Sequence, residues 1–104
     1  MELTGKCRED FIDYLLNGII DFSYRYNYFM NLHPTMQYGV YLDFFDSVGI
    51  HVMTNMFSIK EDIASEFIGQ VETIELIWNT IQETRQQARA AAIEKADEIY
   101  NSKG

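Results

Sequence analysis

The fold is decided by a stretch that reads PTMQYGVYLDFFDSV over residues 34–48, with Gly49 directly after it. Pro34 suits the first turn of a helix, because its missing N–H would have no partner there. A four-residue spacing places a ridge of apolar side chains on one face of this helix, with two aromatic residues beside it: Met36, Val40, Phe44 and Val48, then Tyr41 and Phe45. The spacing predicts a central core helix with a buried Phe44.

The region after this helix is harder to interpret. Residues 50–57 are rich in β-branched and large apolar side chains, which predicts a short strand. Residues 58–61, SIKE, match a capping box and predict a helix from Ile59. Such a helix would align apolar residues at helical spacing: Ile63, Phe67, Val71 or Ile74, Ile77, Trp78 and Ile81. Residues 71–78, VETIELIW, favour a strand as the alternative.

Both ends of the chain are predicted to be helical. Residues 4–17 place Cys7, Phe11, Tyr14 and Leu15 on one face, and Gly18 is a plausible terminator. Residues 84–101 are dominated by strong helix formers, and a second capping box, formed by Thr84 and Gln87, marks their start. Between the two helices, four aromatic residues alternate with polar ones, which favours an extended segment: Phe22, Tyr24, Tyr26 and Tyr28. A helix is the alternative, since Tyr24 and Tyr28 also stand four apart.

These elements predict one domain over residues 1–104. The predicted class is mainly α, with three to four helices and a small β element near residues 50–57, and the alternative is α+β with a short antiparallel sheet. A single cysteine excludes a disulfide within the chain. No apolar run approaches the roughly 20 residues of a membrane span, so we expect a cytoplasmic protein without a membrane partner.

Catalytic chemistry has little support in the sequence. Cys7 lies between two basic residues, but its spacing to Phe11 indicates a buried, inert thiol. Asp43 and Asp46 stand three apart, which fits a polar helix face as well as an acid–base pair. With one cysteine and two scattered histidines, no zinc site is recognisable, and no phosphate-loop or nucleophile-elbow motif occurs. We expect no enzyme activity, no cofactor and no metal.

The charge balance indicates a basic partner. Eight Lys or Arg stand against sixteen Asp or Glu, which gives a net charge of -8, and residues 61–83 contain no Lys or Arg at all. Direct nucleic-acid binding is therefore disfavoured, although aromatic residues alternate with arginine in residues 24–28. Carboxylates can instead take the place of phosphates in a basic groove of another protein. The predicted partner-binding residues are acidic or aromatic: Glu61, Asp62, Glu66, Glu72 and Glu75, with Tyr24, Tyr26 and Tyr28.

Three blocks carry a resemblance to a known group of proteins. LTGKCREDF at the start, MQYGVYLDFFDSVGI in the middle and ARAAAIEKADEIYN near the end resemble segments of short proteins encoded by bacteriophages and prophages. The resemblance does not extend over residues 55–82, and it brings no catalytic residues with it. It implies a phage or mobile-element origin. By analogy with anti-CRISPR proteins, we expect a non-catalytic inhibitor of a basic host protein that handles nucleic acid or serves in defence.

A second hypothesis comes from the last predicted helix. Small side chains line one stripe of it and would let another helix approach closely: Ala88, Ala92 and Ala96, followed by Ile99. Packing within the chain is the favoured interpretation of this stripe. The alternative is a helical homo-oligomer with a structural role, so the chain is predicted to be a monomer or a homodimer.

Overall fold

A computed structural model describes residues 2–16, 27–60 and 63–103 of the chain. It consists of helices packed on an antiparallel sheet. The elements, in chain order, are α1 (Gly5–Leu16), α2 (Pro34–Ser47), β1 (His51–Lys60), β2 (Ile63–Glu72), β3 (Ile77–Gln82) and α3 (Arg85–Lys103). Residues 27–30 are helical as well. The fold is thus α+β: the mainly helical prediction fits in outline, and the antiparallel-sheet alternative describes it more closely.

The three strands form one antiparallel sheet in the order β1-β2-β3. Val52, Val71 and Trp78 stand side by side across it. The pairing of β1 with β2 is regular from His51 to Met56 and then irregular, with register shifts as far as Lys60. The strand predicted at residues 50–57 is therefore confirmed, and it is longer than predicted.

The prediction of a helix from Ile59 is wrong, because the end of β1 and the whole of β2 and β3 lie in this part of the chain. Ile63, Phe67 and Val71 are four residues apart, and this spacing keeps side chains on one face of a strand as well as of a helix. The alternative strand at residues 71–78 is correct only at its ends: β2 finishes at Glu72, residues 73–76 turn, and β3 begins at Ile77.

The predicted helices at residues 4–17, 34–48 and 84–101 are confirmed as α1, α2 and α3. The second capping box is present: the Thr84 N–H donates to Gln87 Oε1 at 3.2 Å, and the Gln87 N–H donates to Thr84 Oγ1 at 3.1 Å. Asn17 and Gly18 lie outside the described residues. So do residues 22–26 of the predicted extended segment, whereas Tyr28 at its end is helical rather than extended.

The core is aromatic where α2 packs against α1. Phe44 is 2% exposed, as predicted, but the ridge is wrong at its two ends, because Met36 and Val48 are exposed. Large rings bury more apolar area than these two side chains do, so α2 turns its aromatic face inward. That face consists of Tyr38, Tyr41, Phe44 and Phe45.

Helix α3 lies on one face of the sheet. Ala88, Ala92 and Ala96 are fully buried within the chain, so the favoured interpretation of the alanine stripe is confirmed. Beneath the helix, Gly69 of β2 leaves room for its backbone: a Cβ at this glycine would meet Ala88. Short side chains on both sides thus allow the helix to approach the sheet closely.

The two ends of the described chain are joined by side chains of α3. Asp97 accepts hydrogen bonds from the Thr4 N–H at 2.8 Å and from the Thr4 hydroxyl at 2.7 Å. Asn101 Oδ1 accepts from the Cys7 N–H at 2.8 Å. The start of α1 is therefore capped by a residue near the end of α3 instead of by a local side chain.

Candidate protein-binding surface

One face of the sheet is packed against the helices, and the other faces solvent. Successive side chains of a strand point to opposite faces. On β3 the exposed positions are Ile77, Asn79 and Ile81, and the half-buried ones alternate with them. Ile77 is 64% exposed and Ile81 is 49% exposed. Within the described part of the chain, no helix covers this second face.

The strand register arranges this surface in three rows, which together we call the open face. The first row is His51, Glu72 and Ile77; the second is Met53, Gln70 and Asn79; the third is Asn55, Ile68 and Ile81. Each row has one or two apolar members. Exposed apolar side chains that lie close together on one surface are a common feature of binding sites.

The turn between β2 and β3 extends the apolar surface beyond the sheet. Thr73 holds the turn: its hydroxyl accepts from the N–H groups of Glu75 and Leu76, both at 3.2 Å, and its own N–H donates to the Leu76 carbonyl at 2.8 Å. Ile74 is fully exposed at the tip of this ordered turn. Because these bonds hold the backbone of the turn, a partner that covers Ile74 has only its side chain to order.

Three of the predicted acidic residues form an acidic border of the open face, and one of them, Glu72, is also a member of its first row. Glu66 and Glu72 lie near the two ends of β2, on the same side of the strand as Ile68, and Glu75 lies in the turn. They are spread along a strand and a turn and not along a helix, so the expectation of a helical row of carboxylates is wrong. Glu61 and Asp62 lie outside the described residues.

Tyr28, one of the three predicted tyrosines, is not part of this surface. Tyr24 and Tyr26 lie outside the described residues, and Tyr28 is an exposed residue of the helical segment 27–30. That segment contacts α1 and α2, since Phe29 packs on Phe11 and Tyr41 with ring centroids 5.0 and 5.3 Å apart. The structure therefore places Tyr28 on a different element from the acidic border.

Three basic side chains of α3 lie over aromatic rings of the packed face of the sheet and of α2. Arg85 lies 5.0 Å from the ring centroid of Phe67, Arg89 lies 5.1 Å from that of Tyr38, and Lys95 lies 5.9 Å from that of Trp78. On the open face the one basic residue is His51, whose Nδ1 is 2.8 Å from Asp46 Oδ1. The described residues of the open face and its border consequently include no Lys or Arg.

The other groups considered for chemistry have structural roles. Cys7 is fully buried, and burial together with the neighbouring Asp97 carboxylate raises the pKa of its thiol far above the ordinary range. The burial that the spacing of Cys7 predicts is therefore confirmed. Asp46 faces His51, not Asp43, so the two aspartates do not form a pair.

The described residues provide neither a metal site nor a membrane-spanning helix. No cluster of three or more His, Cys, Asp or Glu side chains there is arranged to hold a metal ion. None of the described helices combines the length and the apolar character that crossing a bilayer requires.

The open face is a candidate binding surface that the sequence analysis did not predict. The sequence of β3, IWNTIQ, has no strict alternation of apolar and polar residues, so it does not mark this face by itself. Comparisons of the chain with protein-family models, with curated proteins and with solved structures yield no match.

Proposed function

We propose that this chain is a non-catalytic protein-binding module that docks the open face of its sheet on a basic partner. The observation that supports the proposal is the combination of exposed apolar residues, such as Ile77 and Ile81, with a carboxylate border that includes no Lys or Arg. Protein interfaces commonly have an apolar centre surrounded by a polar rim. The open face has this composition.

The two parts of the surface contribute differently to binding. The apolar residues supply affinity, because a partner removes them from water. The carboxylates at Glu66, Glu72 and Glu75 attract a basic surface at long range, which speeds association and selects against acidic partners. The net charge of -8 acts in the same direction.

The partner class follows from the same chemistry. A groove lined by Lys and Arg accepts carboxylates in place of phosphates, and such grooves belong to proteins that handle nucleic acid. The resemblance to phage-encoded proteins supports a host enzyme or a defence protein as the partner, so we propose an inhibitor in the manner of anti-CRISPR proteins. Direct binding of nucleic acid is not part of the proposal, since the open face has no cationic row.

Capture from a bacterial host lysate tests the proposal when two matched variants accompany the wild-type chain. The first variant carries Glu66→Lys, Glu72→Lys and Glu75→Lys. The second makes the same charge change on the exposed helical positions Glu9, Asp13 and Glu94. We expect the first variant to lose the captured protein and the second to retain most of it.

Purified components then provide the quantitative measurement. The association rate should fall steeply with salt, because exposed charges are screened beyond about 8 Å at physiological ionic strength. Circular dichroism shows whether each variant is folded. Equal capture by the wild-type chain and the folded first variant would exclude the open-face border from the interface.

A further inference from the structure

The outer edge of β3 is a second binding feature of the sheet. β3 pairs with β2 along one side, and no other described strand or backbone segment bonds to the opposite side. The N–H and C=O groups along such an edge can pair with another strand. Natural proteins usually protect an exposed edge with charged side chains, proline or a bulge.

β3 has none of these protections. Its sequence is IWNTIQ, which contains no charged residue and no proline, in a chain whose net charge is -8. Its pairing with β2 is regular from Ile77 to Gln82. The opposite edge of the sheet differs, because β1 has register shifts after Met56 and carries Lys60 at its end. The uncharged, regular edge is therefore the one suited to strand addition.

We propose that β3 pairs antiparallel with β3 of a second copy, about a two-fold axis at Asn79, to give a continuous six-stranded sheet. The sequence of β3 is self-complementary in this register. Ile77 stands opposite Ile81 of the second copy, and Ile81 stands opposite its Ile77. Trp78 stands opposite Thr80 on the packed face. Cross-strand pairs of large apolar side chains stabilise antiparallel sheets.

The dimer joins the two open faces into one surface. It shields part of Ile77 and Ile81 from water at the centre of that surface and leaves the borders at Glu66 and Glu72 at its two ends. Beyond the strand, the register brings Glu75 towards Glu83 of the second copy. Because these carboxylates repel one another, rising salt should strengthen the dimer.

This salt dependence separates the dimer from the proposed function, on which it does not rest. Binding to a basic partner weakens as salt rises, whereas pairing of β3 with β3 strengthens. Sedimentation velocity of the wild-type chain at low and high salt measures the second effect. We expect a monomer–dimer equilibrium that shifts towards dimer with protein concentration and with salt. A monomer at high salt and high protein concentration would overturn the proposal.

A crosslinking experiment tests the register. Asn79 is exposed, and directly opposite Cβ atoms in an antiparallel pair are about 4.5–5.5 Å apart, so Asn79→Cys thiols can oxidise to a disulfide after a small shift. The matched control is Asn55→Cys, which lies on the same face at the opposite edge. Cys7 is buried and does not compete.

Both variants are oxidised with a glutathione buffer, at the protein concentration at which sedimentation finds half of the wild-type chain dimeric. Paired strands hold the two thiols at a high effective concentration, so we expect Asn79→Cys to crosslink about a hundredfold faster than the control. Equal rates for the two variants, with both folded by circular dichroism, would refute the β3 register.

Discussion

Gly69 of β2 lies under Ala88 of α3 so closely that a Cβ on the glycine would stand 2.6 Å from the Ala88 carbonyl oxygen. It would also come within 3.5 Å of the Ala92 Cβ. The obstacle is helix backbone, which cannot rotate away as a flexible side chain would. The absence of a side chain at Gly69 therefore sets the distance between the helix and the sheet.

Gly69→Ala should destabilise the fold because the helix must move away from the sheet or the strand must bend. Inserting a methyl group into a well-packed core typically costs about 1–3 kcal/mol. Chemical denaturation monitored by the fluorescence of Trp78 measures the change in the free energy of unfolding.

Gly39→Ala is the matched control for this substitution. Gly39 lies within α2, is exposed, and has nothing within 4 Å of the added Cβ. Alanine there should stabilise the fold by about 0.4–1 kcal/mol, because it restricts the unfolded chain and favours the helix. A neutral Gly69→Ala variant beside a stabilised Gly39→Ala variant would show that the helix approaches the sheet less closely than described.

The same glycine shows why part of the fold could be predicted and part could not. In a helix, Gly69 would only lower stability. In β2, it is the position at which α3 crosses the sheet. Helices α1, α2 and α3 could be predicted because proline, capping residues and strong helix formers act locally. That residues 63–72 form a strand could not be predicted, because the spacing of Ile63, Phe67 and Val71 fits a helix as well as a strand.

The open face could not be predicted, because local sequence patterns do not show which face of a sheet a helix covers. Ile77 and Trp78 are both large and apolar, yet Ile77 is exposed and Trp78 packs against the core. Which of them is covered depends on which face α3 occupies, and that is decided by residues far along the chain. The acidic residues could be named in advance, whereas their arrangement as a border of the open face could not.

Truncation of Phe44 in α2 should destabilise the fold strongly. The ring of Phe44 packs 5.3 Å from Phe11 and 5.8 Å from Tyr100, between the helices at the two ends of the chain. Phe44→Ala should lower the free energy of unfolding by about 3–5 kcal/mol, a large part of the 5–15 kcal/mol that a domain possesses. A thermal melt measures the loss.

Met36→Ala provides the comparison on the same helix. Met36 is 57% exposed, so the substitution should change stability by no more than about 0.5 kcal/mol. Similar melting temperatures for the two variants would contradict the inward orientation of the aromatic face of α2.

Asn101 should contribute to stability through its cap on α1. Its Oδ1 accepts from the Cys7 N–H, and its Nδ2 donates to the Thr4 carbonyl at 3.0 Å. Asn101→Ala leaves the N–H of Cys7 without this acceptor, which should cost about 1–2 kcal/mol in urea denaturation.

Asn101→Asp separates the two hydrogen bonds. It keeps an acceptor for Cys7 and removes the donor to Thr4, so its loss of stability should be smaller than that of Asn101→Ala. Hydrogen exchange at the Cys7 amide should accelerate in the alanine variant and change less in the aspartate variant. Unchanged exchange in both would mean that the cap does not form in solution.

The last prediction concerns alkaline pH and the thiol of Cys7. Burial and the Asp97 carboxylate raise the pKa of this thiol strongly in the folded chain, whereas an unfolded cysteine titrates near about 8.5. Above that pH the unfolded chain releases a proton that the folded chain keeps. The free energy of unfolding should therefore be undiminished by this group below about pH 8.5 and should fall as pH rises further, by up to about 1.4 kcal/mol per unit. Urea denaturation of the wild-type chain and of Cys7→Ala between pH 7 and pH 10 measures how steeply the free energy of unfolding falls in each protein. That range lies below the pKa of about 12 that its hydrogen bond to Asp10 gives Tyr100. Alanine lacks the thiol, so its stability should fall less steeply. Parallel pH profiles for the two proteins, together with rapid labelling of the native thiol at pH 8, would show that Cys7 is accessible and ionises in the folded state.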